Sequence, residues 1–223
     1  KEVFDKLNAY LQNVEDRDYG LQVWFEILQQ RPRPAMSQQQ PTLPIRPPLP
    51  YYFEVNISCP NTPEGQQMSK HPELLEELVK YMRTKTDRVI GAKLSPDSKD
   101  KELIAFAEML MPYGKVYVNL GNTTFRKCVD VDLRQDAITK GGGGLSGPAL
   151  YNRTLEMVEA VAPTGIAICA TGGIDSAEKV HAVQRVGYEH NIPVIVGMAT
   201  AVVKDMYCIP RINRELAKRP MSF

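Results

Sequence analysis

The sequence predicts an α/β protein built from parallel β/α units. From residue 51 onward, short apolar runs alternate with longer amphipathic runs, which is the pattern of strands alternating with helices. The composition, 43% hydrophobic and 24% charged, is that of an ordinary globular domain. This alternation favours a parallel sheet that is either closed as a barrel or left open.

Each element follows from its local pattern. The apolar runs predict strands at 51–57, 88–94, 115–120, 165–170 and 192–197. The amphipathic runs predict helices at 72–84, 100–111, 149–161, 176–187 and 210–218. Pro72 suits a first helical position, and Asp175 with Glu178 has the spacing of a capping box, so we expect Asp175 to cap the fourth helix.

Residues 1–50 differ from the rest of the chain. They are rich in proline and glutamine and show no strand or helix periodicity. The run LQVWFEIL at 21–28 fits one strand or part of a helix. We therefore divide the chain into an irregular Pro/Gln-rich segment, 1–50, and a β/α barrel domain, 51–223. A complete barrel needs three more strands, so its first strands are incomplete or rebuilt, or part of the natural chain is absent from this sequence.

Composition also limits the kinds of binding partner that we expect. A net charge of +1 gives no electrostatic reason to expect nucleic acid or an acidic membrane surface. The four cysteines are widely spaced among only three histidines, so no metal site is predicted and free thiols in a reducing compartment are expected. No apolar run approaches the roughly 20 residues of a transmembrane helix. The start at Lys1 rather than methionine favours a processed or truncated N-terminus.

The segment EVNISCPNTPEG at 54–65 constrains the chemistry most tightly. Cys59 stands between Asn56 and Asn61, after a predicted strand. Carboxamides both donate and accept hydrogen bonds, and a thiol with a reference pKa of about 8.5 can exchange a proton near neutrality. The alternative is a small buried cysteine beside two turn-forming asparagines.

Polar residues also stand at the end of the next predicted strand and after the one that follows it. Lys93 ends one strand, where it either meets an anionic partner or extends to solvent. Asn122 and Thr123 follow the other, where they either bind a ligand or start a turn. In a parallel β/α fold the carboxyl ends of the strands share one edge, so these side chains are predicted to meet.

Two glycine-rich or small-residue loops follow the last two predicted strands. Gly172 and Gly173 form one loop, and Ala199 and Thr200 begin the other. Loops at these positions form the phosphate site common in β/α barrels, where backbone N–H groups bind the anion. The glycine run at 141–144 is expected to be a mobile loop whose small residues allow close backbone approach, or, over 141–143, a flexible linker.

The chain resembles the dihydroorotate dehydrogenases. NISCPNTPEG is similar to their active-site strand and loop, and further blocks follow in the family's order over residues 51 to about 218. These blocks are AKLSPD, GNTT, GGLSGPAL, ATGGIDSAEK and VGMATAV. The resemblance implies a (β/α) TIM-type barrel with flavin mononucleotide (FMN) as cofactor.

It also implies roles for the residues. Cys59 would remove a proton from C5 of dihydroorotate while a hydride passes from C6 to N5 of FMN, giving orotate. The substrate-binding residues would be Asn56, Asn61, Asn122 and Thr123. The cofactor-binding residues would be Lys93, Gly147, Gly172, Gly173, Ala199 and Thr200, with Lys93 near the flavin ring, Gly147 beside it and the last four at its phosphate.

Three questions stay open at the level of sequence. The electron acceptor is fumarate, a quinone, or a pyridine nucleotide reached through a partner subunit. The location is cytoplasmic, or mitochondrial if the N-terminus was processed, and a homo-oligomer is expected. The family's upstream flavin and substrate residues have no match in 1–50. The alternatives are therefore a non-catalytic scaffold or assembly subunit without flavin, and another phosphate-binding barrel enzyme.

Overall fold

Five parallel strands form the main sheet of this computed structural model, which describes residues 1–2, 4–6, 9, 52–57, 71–136 and 141–218. The strands are β1 (Phe53–Asn56), β2 (Ile90–Leu94), β3 (Val116–Leu120), β6 (Ala167–Thr171) and β7 (Val194–Gly197). They neighbour one another in chain order, β1-β2-β3-β6-β7, and every pairing is parallel. All five predicted strands are therefore confirmed.

Helices follow the strands as predicted. They are α1 (Pro72–Arg83), α2 (Asp100–Leu110), α3 (Tyr151–Val161), α4 (Ala177–Glu189), α5 (Thr200–Lys204) and α6 (Cys208–Lys218). Of these, only the short α5 was not predicted. Each of α1 to α3 contacts the next helix along the chain, and α4 contacts α6.

The core lies between the helices and one face of the sheet. Ile90, Ala92 and Leu94 of β2 alternate with Gly91 and Lys93, and the first three join the apolar cluster. The helices contribute residues at helical spacing, such as Leu75, Val79 and Met82 of α1. Sequential parallel strands with helices packed over one face are the arrangement of a β/α barrel wall, so the predicted α/β class is confirmed.

The opposite sheet face is polar. Asn56, Lys93, Asn119 and Cys169 occupy one row across four strands, because each is in register with the next. Side chains alternate between the two faces of a strand, so this row points away from the helices. In a barrel this is the inner face.

The glycine run forms a strand rather than the expected mobile loop. Gly142–Leu145 forms β5, which pairs antiparallel with β4 (Thr124–Lys127) as a two-stranded sheet. A Cβ at Gly144 would lie 2.3 Å from Oγ1 of Thr123. The close backbone approach expected of these glycines is therefore present, here against the residue that precedes β4.

The predicted cap of α4 was also wrong. The N-cap is Ser176, whose hydroxyl accepts a hydrogen bond from the backbone N–H of Lys179 at 3.3 Å. Asp175 instead pairs with the side chain of Lys179 at 2.7 Å. Serine in extended backbone performs the capping that the pattern assigned one residue earlier.

The run at 21–28 lies outside the described residues, and the division at residue 50 stays a prediction. The ring of Phe4 packs edge-on against Phe53 of β1, with centroids 4.8 Å apart. The beginning of the chain therefore contacts the first described strand.

Candidate active site

A cavity of about 480 Å³ opens at the carboxyl edge of the main sheet. Its walls come from Lys93 of β2 and from the segments that follow β3, β5, β6 and β7. Eight residues singled out from the sequence line it: Lys93, Asn122, Thr123, Gly147, Gly172, Gly173, Ala199 and Thr200. The fold thus brings together residues more than one hundred positions apart in the chain.

Of the three remaining predicted site residues, only Asn56 lies in the described part of the chain, and the cavity lining does not include it. Asn56 ends β1 in register with Lys93 on the polar sheet face. Cys59 and Asn61 lie outside the described residues, so their roles stay predictions.

Lys93 reaches the cavity from β2. Its neighbours Ala92 and Leu94 are buried in the core, whereas Lys93 is half-buried and lines the cavity from the other face. Its register partners are Asn56 on β1 and Asn119 on β3. A cation here faces a polar surface that includes amide groups, a setting suited to an anionic group.

The loop after β3 approaches β6 closely. A Cβ at Gly121 would lie 1.8 Å from the backbone oxygen of Thr171, so glycine is required at this point. The side-chain oxygen of Asn122 accepts a hydrogen bond from the N–H of Thr123 at 2.8 Å. Residues 121–123 form an irregular loop at the cavity wall, and this local hydrogen bond lies within it.

Gly147 and Thr200 join two cavity walls. Gly147 has φ +88°, and a Cβ there would lie 3.2 Å from the Thr200 methyl group. The hydroxyl of Thr200 donates to that of Ser146 at 3.0 Å. The segment after β5 is thereby held against the start of α5.

Gly172 and Gly173 form a tight backbone cradle. Their φ values are +136° and +69°, conformations that residues with a Cβ rarely adopt. A Cβ at Gly173 would lie 2.6 Å from the backbone nitrogen of Tyr151 and 2.8 Å from the oxygen of Gly147. Among the described residues, the N–H groups of Gly173 and Ile174 find no protein acceptor. Unpaired N–H groups at a cavity wall suit an anion such as phosphate.

Sequence reasoning missed the outer rim of the cavity. Lys204, Asp205, Cys208 and Arg211 line it, and Arg211 pairs with Asp205 at 2.9 Å. The hydrogen bond from Arg211 lowers the pKa of the Asp205 carboxyl. The amphipathic pattern predicted a terminal helix, but no local signal showed that its first turn would reach the cavity.

Within the described ranges, no group of three or more His, Cys, Asp or Glu side chains is placed to hold a metal ion. Over the same residues, none of the helices has the length and apolar character needed to cross a membrane.

The sequential parallel sheet, its one-sided helical layer and the cavity at its carboxyl edge define a protein of the β/α-barrel class. A sequence model of the family described as dihydroorotate dehydrogenase matches residues 39–219. The chain belongs to the dihydroorotate dehydrogenase family, which confirms the resemblance seen in the sequence.

Relatives with two different names match the chain. It is 35% identical over 153 residues to dihydroorotate dehydrogenase (quinone) of Clavibacter sepedonicus, covering 66% of this chain and 43% of the relative. It is 30% identical over 169 residues to the catalytic subunit of dihydroorotate dehydrogenase B (NAD(+)) of Listeria innocua, covering 75% and 53%. The chain spans about half the length of the curated relatives it matches.

The fold is shared with a solved structure. DHODH from Eimeria tenella in complex with ferulenol superposes with a TM-score of 0.62 at 20% identity, covering 75% of this chain and 49% of that one. At this identity the likeness concerns the fold alone.

Proposed function

We propose that this chain takes part in the flavin-dependent oxidation of dihydroorotate to orotate, a step of pyrimidine biosynthesis. The observation that carries the proposal is the cavity at the carboxyl edge of the sheet, lined by eight residues that the sequence singled out. Active sites of β/α barrels assemble at this edge from the loops that follow the strands. Family membership supplies the reaction to be tested.

The cavity residues fit FMN. The unpaired N–H groups of Gly173 and Ile174 suit its phosphate, and Ala199 and Thr200 line the cavity nearby. Gly147 allows close approach of the backbone, and Lys93 offers a cation on the polar sheet face. The volume of about 480 Å³ is within the range of cofactor sites, roughly 300–1,000 Å³. When bound, the flavin supplies the hydride acceptor.

In this reaction the residues of the protein would orient the pyrimidine ring and remove a proton from it. Asn122 and Thr123 at the cavity wall, with Asn56 and Asn61, would hold the alternating C=O and N–H groups of the pyrimidine. Cys59 would take the proton from C5. Proton and hydride transfer both require near-contact geometry, so fixing the ring is the main task of the amides.

The second half of the reaction needs an electron acceptor. One relative is named for a quinone and another for NAD(+), and fumarate remains the third candidate from the sequence. We propose that the acceptor is one of these three. Assaying reoxidation of the reduced protein with each compound in turn would identify it.

The proposal is tested by the visible absorption spectrum of the purified protein, followed by anaerobic addition of dihydroorotate. A flavin spectrum that bleaches on addition is the expected result. A colourless protein that does not take up added FMN would contradict the proposal and favour the non-catalytic scaffold. Flavin that binds but is not bleached by dihydroorotate would contradict the substrate assignment alone.

A further inference from the structure

Lys179 lies behind the Gly172–Gly173 loop, in the first turn of α4. Its ammonium donates to the carbonyl of Gly173 at 3.1 Å and to the carboxylate of Asp175 at 2.7 Å. It also lies 4.8 Å from the ring centroid of Tyr151, the first residue of α3. The side chain is only 25% exposed. These contacts hold the ammonium in one place.

The contact with Gly173 fixes the orientation of a peptide group. The carbonyl of Gly173 and the N–H of Ile174 belong to one peptide unit, and the described chain contains no cis peptide bond. In a trans peptide these groups point in opposite directions. The carbonyl held by Lys179 therefore turns the N–H of Ile174 away from Lys179. Ile174 lines the cavity, and its N–H finds no acceptor among the described residues.

The positive charge of Lys179 also affects the cavity, in addition to orienting the peptide group. A hydrogen bond from an ammonium polarises the peptide group and strengthens the donor at its other end. Asp175 also lines the cavity, and its negative charge would repel an anion there. Its ion pair with Lys179 offsets that repulsion.

We propose that Lys179 is a positioning residue for the phosphate of the flavin. It does not line the cavity but acts through the Gly173–Ile174 peptide group, which it orients and polarises, and through Asp175, whose charge it balances. The inference rests on the proposed function, in which a phosphate-bearing flavin occupies the cavity.

The test compares FMN with riboflavin, which lacks the phosphate. The apoprotein of Lys179→Met is titrated with each flavin, and binding is followed by flavin fluorescence. We expect FMN to bind about tenfold more weakly, the lower end for loss of a hydrogen bond from a charged group. Riboflavin affinity should be unchanged, and Lys179→Arg should recover most of the FMN affinity.

The matched control is Lys115→Met. Lys115 also pairs with an aspartate, Asp87, but it precedes β3 at the amino end of the sheet, away from the cavity. This variant should bind both flavins as the wild type does. An equal loss of FMN and riboflavin affinity in Lys179→Met, or unchanged FMN affinity, would overturn the proposal.

A second probe separates this inference from the proposed function. If the wild-type protein binds neither flavin, the flavin assignment fails and inorganic phosphate decides the role of Lys179. Thermal unfolding is then compared in phosphate and in chloride at equal ionic strength. Stabilisation by phosphate of the wild type but not of Lys179→Met supports the positioning role. Equal stabilisation of the two proteins, or none of the wild type, overturns it.

Discussion

Tyr117 and Glu54 form a hydrogen bond across an intervening strand. The Tyr117 hydroxyl on β3 donates to the Glu54 carboxylate on β1 at 2.7 Å, although β2 lies between them. Gly91 of β2 is in register with both residues. A Cβ at Gly91 would lie 2.2 Å from the Tyr117 ring. The missing side chain is what lets the ring cross β2 and reach the carboxylate.

Gly91→Ala should therefore destabilise the protein. The added methyl group displaces the Tyr117 ring, and overpacking of this kind costs about 1–3 kcal/mol in the free energy of unfolding, which urea denaturation measures. The control is the same substitution in a Tyr117→Ala background, where the ring is gone and the loss should be small. Equal losses in the two backgrounds would show that the ring is not what Gly91 accommodates.

Tyr117 should also make the protein sensitive to alkali. Burial, aided by the hydrogen bond to Glu54, raises the pKa of Tyr117 above its ordinary value of 10.0. The unfolded chain therefore releases this proton first, so the contribution to stability is full below about pH 10 and falls as the pH rises further. Tyr117→Phe removes that contribution.

Urea unfolding at pH 8 and pH 11 gives the measurement. The wild type should lose more stability over this interval than Tyr117→Phe. Other tyrosines with raised pKa, such as Tyr113, contribute equally to both proteins and cancel in the comparison. Identical losses would mean that Tyr117 ionises in the folded protein as it does in the unfolded chain.

The main sheet was predictable because its signal is local. Buried parallel strands are short apolar runs, and amphipathic helices separate them, so composition along the chain locates both. The β4–β5 hairpin was not predictable in this way. Thr124 of β4 is buried and its hydroxyl donates to Asp97, while β5 is mostly glycine. This hairpin depends on contacts between distant segments rather than on an apolar pattern.

The candidate site likewise contains residues whose positions could be predicted from the sequence and residues whose positions could not. Residues at the ends of parallel strands meet at one edge in any such fold, so Lys93 and the glycine loops could be placed together from sequence order. The positions of Arg211 and Lys179 could not be predicted in this way. Their positions depend on how the first turns of α6 and α4 pack against the cavity walls, and helical periodicity carries no information about that packing.

Lys93→Ala should weaken FMN retention or lower the flavin's midpoint potential. A flavin that becomes anionic on reduction is stabilised by a nearby cation, so its removal favours the oxidised form. A loss of about 1.4 kcal/mol corresponds to roughly 30 mV for a two-electron couple. Redox titration against a dye measures it. The control is Lys101→Ala, at an exposed position of α2. An unaltered midpoint potential together with full FMN retention in Lys93→Ala would leave Lys93 only a role at the strand surface.

Cys59→Ser should slow reduction of the flavin by dihydroorotate and leave FMN content unchanged. A serine hydroxyl is a far weaker acid than a thiol and needs another base to act, so we expect a loss of about 100-fold or more, the usual scale of general base catalysis. Anaerobic stopped-flow absorbance measures the rate, and the flavin spectrum measures the content.

Cys169→Ser is the matched control for that experiment. Cys169 lies on the polar face of β6, with its sulfur 3.5 Å from Oγ1 of Thr171, and burial raises the pKa of its thiol. A raised pKa leaves less thiolate near neutrality, so Cys169 is poorly suited to remove a proton. Its replacement should leave the reduction rate near that of the wild type. If Cys59→Ser also reduced its flavin at the wild-type rate, the proton would have to leave C5 through another group.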